Sequence, residues 1–118
     1  MPRTKLHRYF RHGLLPQLIV FETVARLGSV TRAAEELCLA QPTVSMQLKK
    51  LAATLEVALF EHRGRCLQLT AGGEALRVSC LEVFAAFHRI DDSLAGFRSY
   101  NSQPVVEDGE WRANTTRR

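Results

Sequence analysis

A mainly α fold, a winged helix-turn-helix of three helices and a β-hairpin followed by a long coiled-coil linker helix, is predicted by three features of these 118 residues. Between Leu14 and Leu55, amphipathic segments follow one another with very short connections. The run LFEHRGRCLQLT then switches to a two-residue period around a central glycine. Last, Leu76, Cys80, Val83, Phe87, Ile90, Leu94 and Phe97 recur at alternating spacings of four and three, the seam of a two-stranded coiled coil. The expected divisions are a basic arm over 1–12, the winged domain over 13–70 with its helix-turn-helix at about 30–49, a linker and dimerisation helix over 71–98, and a flexible tail over 99–118.

In the first helix Leu14, Leu18, Phe21 and Ala25 share a face, Pro16 sits in the opening turn where its missing N–H costs nothing, and Gly28 offers a left-handed cap. Ser29 is the N-cap of a second helix over about Val30 to Cys38, whose small Ala33 and Ala34 permit close approach of a third. The connection Leu39-Ala40-Gln41-Pro42 leads into that third helix, where Val44, Leu48, Leu51 and Leu55 fall within about 60° of one another. Its other side presents Pro42, Met46, Lys49, Lys50 and Ala53, bordered by Thr43 and Ser45. In the hairpin, Phe60, Leu67 and Leu69 alternate with polar residues, and Arg63 and Arg65 flank Gly64 at the tip. Thr70 caps the long helix, on which Leu81 and Phe84 widen the apolar stripe toward the preceding domain.

Composition narrows the function classes. The net charge of +4 resides in Arg3, Lys5, Arg8 and Arg11, while the rest of the chain holds 12 basic and 12 acidic side chains. Such an arm suits a phosphate backbone, or is a solvated leader. The longest uncharged stretch, Leu37 to Leu48, is far shorter than a membrane span. The apolar run after the basic start is broken by Pro16 and Gln17 without a small-residue cleavage site, which argues against export. Three cysteines without a C-x-x-C pair argue against a disulfide framework and for a reducing cytoplasm. No nucleophile–base set, phosphate-cradling loop, metal-ligand cluster or paired carboxylates stand out, so no enzyme, cofactor or metal is expected.

The residues with a chemistry to offer lie on the bare side of the third helix and on the hairpin. Gln41 suits bidentate pairing with adenine, and Thr43 can offer its methyl to thymine or its hydroxyl to phosphate. Lys49 and Lys50 are base or phosphate contacts, or plain solvated lysines. Met46 is an apolar contact to a base edge or a tolerated substitution. Arg32 either meets the DNA backbone or pairs with Glu35 or Glu36 on its own helix. Arg63 and Arg65 are poor core material and good phosphate or minor-groove contacts.

The stretch over about 13–70, continuing through the following linker helix to about residue 98, resembles the N-terminal DNA-binding domain of LysR-type transcriptional regulators. L-x-x-F-x-x-V-A at Leu18 to Ala25, G-S-x-T-x-A-A-x-x-L at Gly28 to Leu37, Q-P-x-x-S-x-Q at Gln41 to Gln47, L-F at Leu59-Phe60 and L-T-x-x-G at Leu69 to Gly73 occur in order. The resemblance implies that Gln41, Pro42, Thr43, Ser45 and Lys49 lie where a recognition helix makes its contacts, that Arg63 and Arg65 lie on the wing, and that the linker helix forms a homodimer. Departures are Ala40 for a usual serine, which removes a side-chain cap worth about 0.5–2 kcal/mol, Met46 for a common arginine, Glu56 for a usual glycine, His62 for arginine, and Gly72 for an alanine-like residue, at about 1 kcal/mol in a helix.

These features imply a transcription-regulating module that reads double-stranded DNA as a dimer, without the family's two-lobed effector domain or a visible small-molecule effector site. A rival reading makes the coiled coil the working surface, pairing with full-length LysR-type relatives and antagonising them. A third takes the chain as a truncated gene product.

Overall fold

The computed structural model describes residues 13–100, together with Tyr9 and the strand residues 106–107 and 110–111. The expected basic arm therefore lies outside the described residues, as does most of the expected tail. The chain divides into two units, Met1–Glu82 and Val83–Arg118. Within the first, α1 (Leu14–Leu27), α2 (Val30–Leu37) and α3 (Gln41–Leu55) precede the antiparallel pair β1 (Phe60–Arg63) and β2 (Cys66–Leu69). A thirty-residue helix, α4 (Ala71–Tyr100), begins in the first unit and continues into the second, which also holds the two-residue strands β3 (Val106–Glu107) and β4 (Glu110–Trp111).

α1 supplies much of the core. Phe21 and Val24 are fully buried, with Leu18 and Val20 nearly so. Val20 and Val24 pack in one cluster with Ala33 and Ala34 of α2 and Val44 of α3, and Phe60 and Leu67 of the hairpin close over it. Removing a side chain such as Phe21 from such a site costs about 3–5 kcal/mol. Thr23, also buried, donates its hydroxyl to the Ile19 carbonyl at 2.8 Å, which satisfies it within the helix.

The helix ends decide how tightly α2 and α3 can be joined. Ser29 Oγ accepts the Arg32 N–H at 3.1 Å, as its position before α2 predicts. α2 stops at Leu37 because Cys38 turns left-handed, with φ 58°. The Cys38 N–H then reaches the Glu35 carbonyl and the Leu39 N–H the Ala34 carbonyl, the paired bonds of a Schellman motif. α3 ends in the same way: Glu56 has φ 60°, and the Val57 N–H bonds the Ala52 carbonyl. In both motifs a residue with a Cβ occupies the position that favours glycine.

The hairpin register pairs Phe60 with Leu69 and Arg63 with Cys66, leaving Gly64-Arg65 as the two-residue turn. Gly64 takes φ 65° at the first turn position, where a type II′ turn calls for glycine. Thr70 joins hairpin to helix. Its Oγ1 accepts the Gly73 N–H at 2.9 Å and donates to the Ala58 carbonyl at 2.6 Å, so the cap of α4 is tied to the segment after α3. The helix can start this close only because Gly73 lacks a side chain: a Cβ there would overlap the Leu59 carbonyl oxygen. A Cβ at Gly72 would overlap Val57 Cγ1. The helix-propensity penalty expected at Gly72 is thus offset by the room that glycine leaves for Val57.

The two left-handed caps are open to a direct test. Cys38→Gly and Glu56→Gly should each stabilise the domain by about 1 kcal/mol, read from urea or thermal melts, because glycine relieves the left-handed penalty.

Candidate nucleic-acid interface

α3 is buried on one side and bare on the other. Val44 and Leu51 are fully buried and Leu48 and Leu55 are partly covered. Gln41, Pro42, Met46, Lys49, Lys50 and Ala53 are exposed, and Thr43 and Ser45 are intermediate at the borders. The 4-3-4 apolar rhythm therefore forecast which side chains of this helix stay in solvent. What sets its first turn differs from expectation. Ala40 indeed gives no side-chain cap, but its carbonyl accepts both the Thr43 N–H at 3.0 Å and the Val44 N–H at 3.2 Å. Pro42 has no N–H to satisfy. The missing serine thus leaves fewer orphan donors than the sequence alone suggests.

On the hairpin, Arg65 occupies the turn and Arg63 the last strand position, with 70% of the Arg63 side chain exposed. Arg63 Nε lies 3.8 Å from Glu61 Oε2, two residues back on the same strand face. Such a surface contact is worth little and leaves the guanidinium available to an anion. His62 and Cys66 are exposed near the turn. Among the described residues, no three His, Cys, Asp or Glu side chains gather as metal ligands would, and no helix is long and apolar enough to cross a membrane.

Arg32 is exposed near the start of α2, and the pairing expected for it goes elsewhere. Glu36 is hydrogen-bonded by Arg26 of α1, a bond that holds its carboxyl below the usual range and raises the Arg26 guanidinium, while Arg32 acts on Glu36 only as a weaker neighbouring charge. A contact across the α1–α2 junction displaces the local helix pair because the two helices cross closely here. Sequence spacing could not reveal it.

The linker seam also needs one correction. Cys80, placed by its spacing in the intermolecular stripe, is 1% exposed, with its Sγ 3.6 Å from the Leu18 carbonyl. Burial, reinforced by the charge of Glu22, pushes its thiol up to about 11. It belongs to the core of its own chain, because a helix laid on α1 buries the same periodic positions as a helix laid on a partner. Leu76 is partly covered, and Leu81, expected to pack inward, is exposed. From Val83 onward the stripe is open: Val83, Phe87, Ile90, Leu94 and Phe97 all rank among the exposed large apolar side chains.

Comparison with known proteins agrees with this geometry. Residues 15–74 match the model of the bacterial regulatory helix-turn-helix proteins, lysR family. The chain is 51% identical over 98 residues to the HTH-type transcriptional activator AmpR of Pseudomonas aeruginosa, covering 83% of this chain and 32% of that protein. It is 39% identical over 85 residues to the HTH-type transcriptional activator CmpR of Synechocystis sp., covering 72% and 28%. The chain therefore spans roughly a third or less of the length of these relatives. Among solved structures it resembles the CbnR DNA-binding domain–DNA complex, with TM-score 0.64 and 32% identity over 70% of this chain and 94% of that one. The BenM DNA-binding domain bound to its benA site 1 DNA is similar, with TM-score 0.67 and 26% identity over 70% and 96%.

The carbonyl at Ala40 generates a prediction. Because Thr43 already has a partner, Ala40→Ser should change stability by less than about 0.5 kcal/mol in urea melts, below the usual gain from a serine cap.

Proposed function

The chain belongs to the lysR family of bacterial regulatory helix-turn-helix proteins, and from that membership we propose that it regulates transcription by reading duplex DNA as a homodimer in the bacterial cytoplasm. The third helix enters the major groove, and the hairpin wing lies on the neighbouring backbone or minor groove. The observation that carries this reading is the bare face of α3. Met46, an apolar side chain, stands in solvent beside Gln41, Lys49 and Lys50, on a helix whose opposite face buries Val44 and Leu51 fully.

Roles divide by chemistry. Gln41 reads a base edge through its amide, which offers a donor and an acceptor together. Thr43, Ser45 and Met46 line the same groove, where Met46 gives an apolar contact in place of a cation. Lys49, Lys50, Arg63, Arg65 and Arg32 neutralise phosphates and set register without reading sequence. The open stripe Val83, Phe87, Ile90, Leu94 and Phe97 supports pairing of two linker helices. A dimer then presents two recognition helices to two half-sites.

Two measurements test this. Arg63→Ala and Arg65→Ala should each weaken binding to every duplex and lower the slope of affinity against salt by about one, whereas Gln41→Ala should relax base preference at one or two positions per half-site. Reversed outcomes would overturn the division of roles. For the dimer, sedimentation should give a dimeric parent and a monomeric Phe87→Asp variant, since a seam cannot bury two unpaired carboxylates without a cost of several kcal/mol.

A further inference from the structure

Three ion pairs of the first unit, apart from the hairpin pair Arg63–Glu61, are linked end to end. Glu36 of α2 bonds Arg26 of α1, Arg26 Nε lies 3.6 Å from Glu22 Oε2, and that same oxygen lies 3.7 Å from a terminal guanidinium nitrogen of Arg77 on α4. Glu22 is the most sheltered of the four, its side chain 15% exposed against 34% for Arg77, 44% for Arg26 and 46% for Glu36. A carboxylate withdrawn this far is less screened by salt than a surface pair.

Its placement matters as much as its charge. Arg77 and Cys80 stand one turn apart on α4, and they meet Glu22 and the Leu18 carbonyl, one turn apart on α1. Apolar contact alone is non-directional and lets one helix pivot on another. Two contacts one turn apart along the axis, a charge pair and a buried side chain, resist that pivot. Length makes a small tilt matter: a tilt of about 5° at one end of any rigid helix about 45 Å long would carry its other end by about 4 Å, on the order of one base-pair step.

We propose that Glu22 is a positioning residue for DNA recognition: through Arg77 it fixes the angle at which the linker helix is set on α1, and thereby the separation of the half-sites that a dimer reads. The inference rests on the dimeric reading above. Through Arg26 and Glu36 the same carboxylate is continuous with α2, so the linker and the helix-turn-helix are held by one chain of charges.

The test uses the full chain, with Glu22→Gln and Arg77→Gln as variants, and a half-site recovered by selection from random duplex DNA. Duplexes carry one copy of it, or two copies at separations stepped by one base pair across about one helical turn. The parent should prefer one separation by about tenfold or more, the scale of a well-specified contact set. Both variants should bind a single half-site within about twofold of the parent, yet prefer no separation by more than about threefold. A spacing profile unchanged in both variants overturns the proposal. So does a loss on the single half-site as large as that on the pair, which would make Glu22 a residue of the local fold. A parent that binds paired sites no better than single ones overturns the dimer itself, and is recognised by that control before either variant is considered.

Discussion

Phe21 and Val24, on one edge of α1, lose all solvent exposure. Val24 shares its cluster with Ala33, Ala34 and Val44, whereas the Phe21 ring meets Phe60 of the hairpin at 5.5 Å and 52°. One helix edge therefore supports both parts of the candidate interface. The small side chains at 33 and 34 set how near α2 can come, and the tilted ring pair sets where the wing stands. The carbonyl of Leu18 and the carboxylate of Glu22, on the adjoining edge of α1, receive the start of α4. Interface, wing and linker are thus referred to a common rigid element rather than to one another. A core packed at crystal-like density transmits such references with little give.

The connections refine what α1 establishes. Both left-handed caps turn the chain within a single residue, so α2 and α3 are joined by only Cys38, Leu39 and Ala40. At the other end of the unit, Thr70 binds the segment after α3 and the first turn of α4 through one hydroxyl. Gly73 admits the Leu59 carbonyl. Each device concerns a few atoms, but each shortens a loop that would otherwise let the wing or the linker drift.

Most of the fold was legible in the sequence because its elements differ in period. The 4-3-4 spacing in α3 named both its buried and its bare side, and the alternation around Gly64 placed the hairpin. What escaped has a common cause. Periodicity says that a face is apolar, never what covers it, so Cys80 was placed in an intermolecular stripe although it is buried within its own chain. The pairing of Glu36 with Arg26, and of Glu22 with Arg77, spans 10 and 55 positions, beyond any helical spacing rule. Of the network, only Glu22–Arg26 at i, i+4 could have been anticipated. The strands β3 and β4 fall in a stretch without period, although the sequence between them, Asp108-Gly109, is a recognised hairpin dipeptide. Resemblance served better at Glu56, where a family glycine marked a left-handed residue that composition could not.

The two sides of α3 carry separate burdens, so its exposed side can change without loss of fold. Val44 and Leu51 hold the helix, so a substitution at Met46 removes no packing from the core. Its effect falls on the exposed side alone, where methionine offers no donor to an anion or a base. In the DNA-reading role proposed above, electrostatic attraction would come from Lys49, Lys50 and the exposed arginines of the hairpin. Base discrimination would then rest more on Gln41, and on how firmly the first turn of α3 presents it. Because that turn is closed by the Ala40 carbonyl, the presentation is a property of the backbone rather than of a capping side chain.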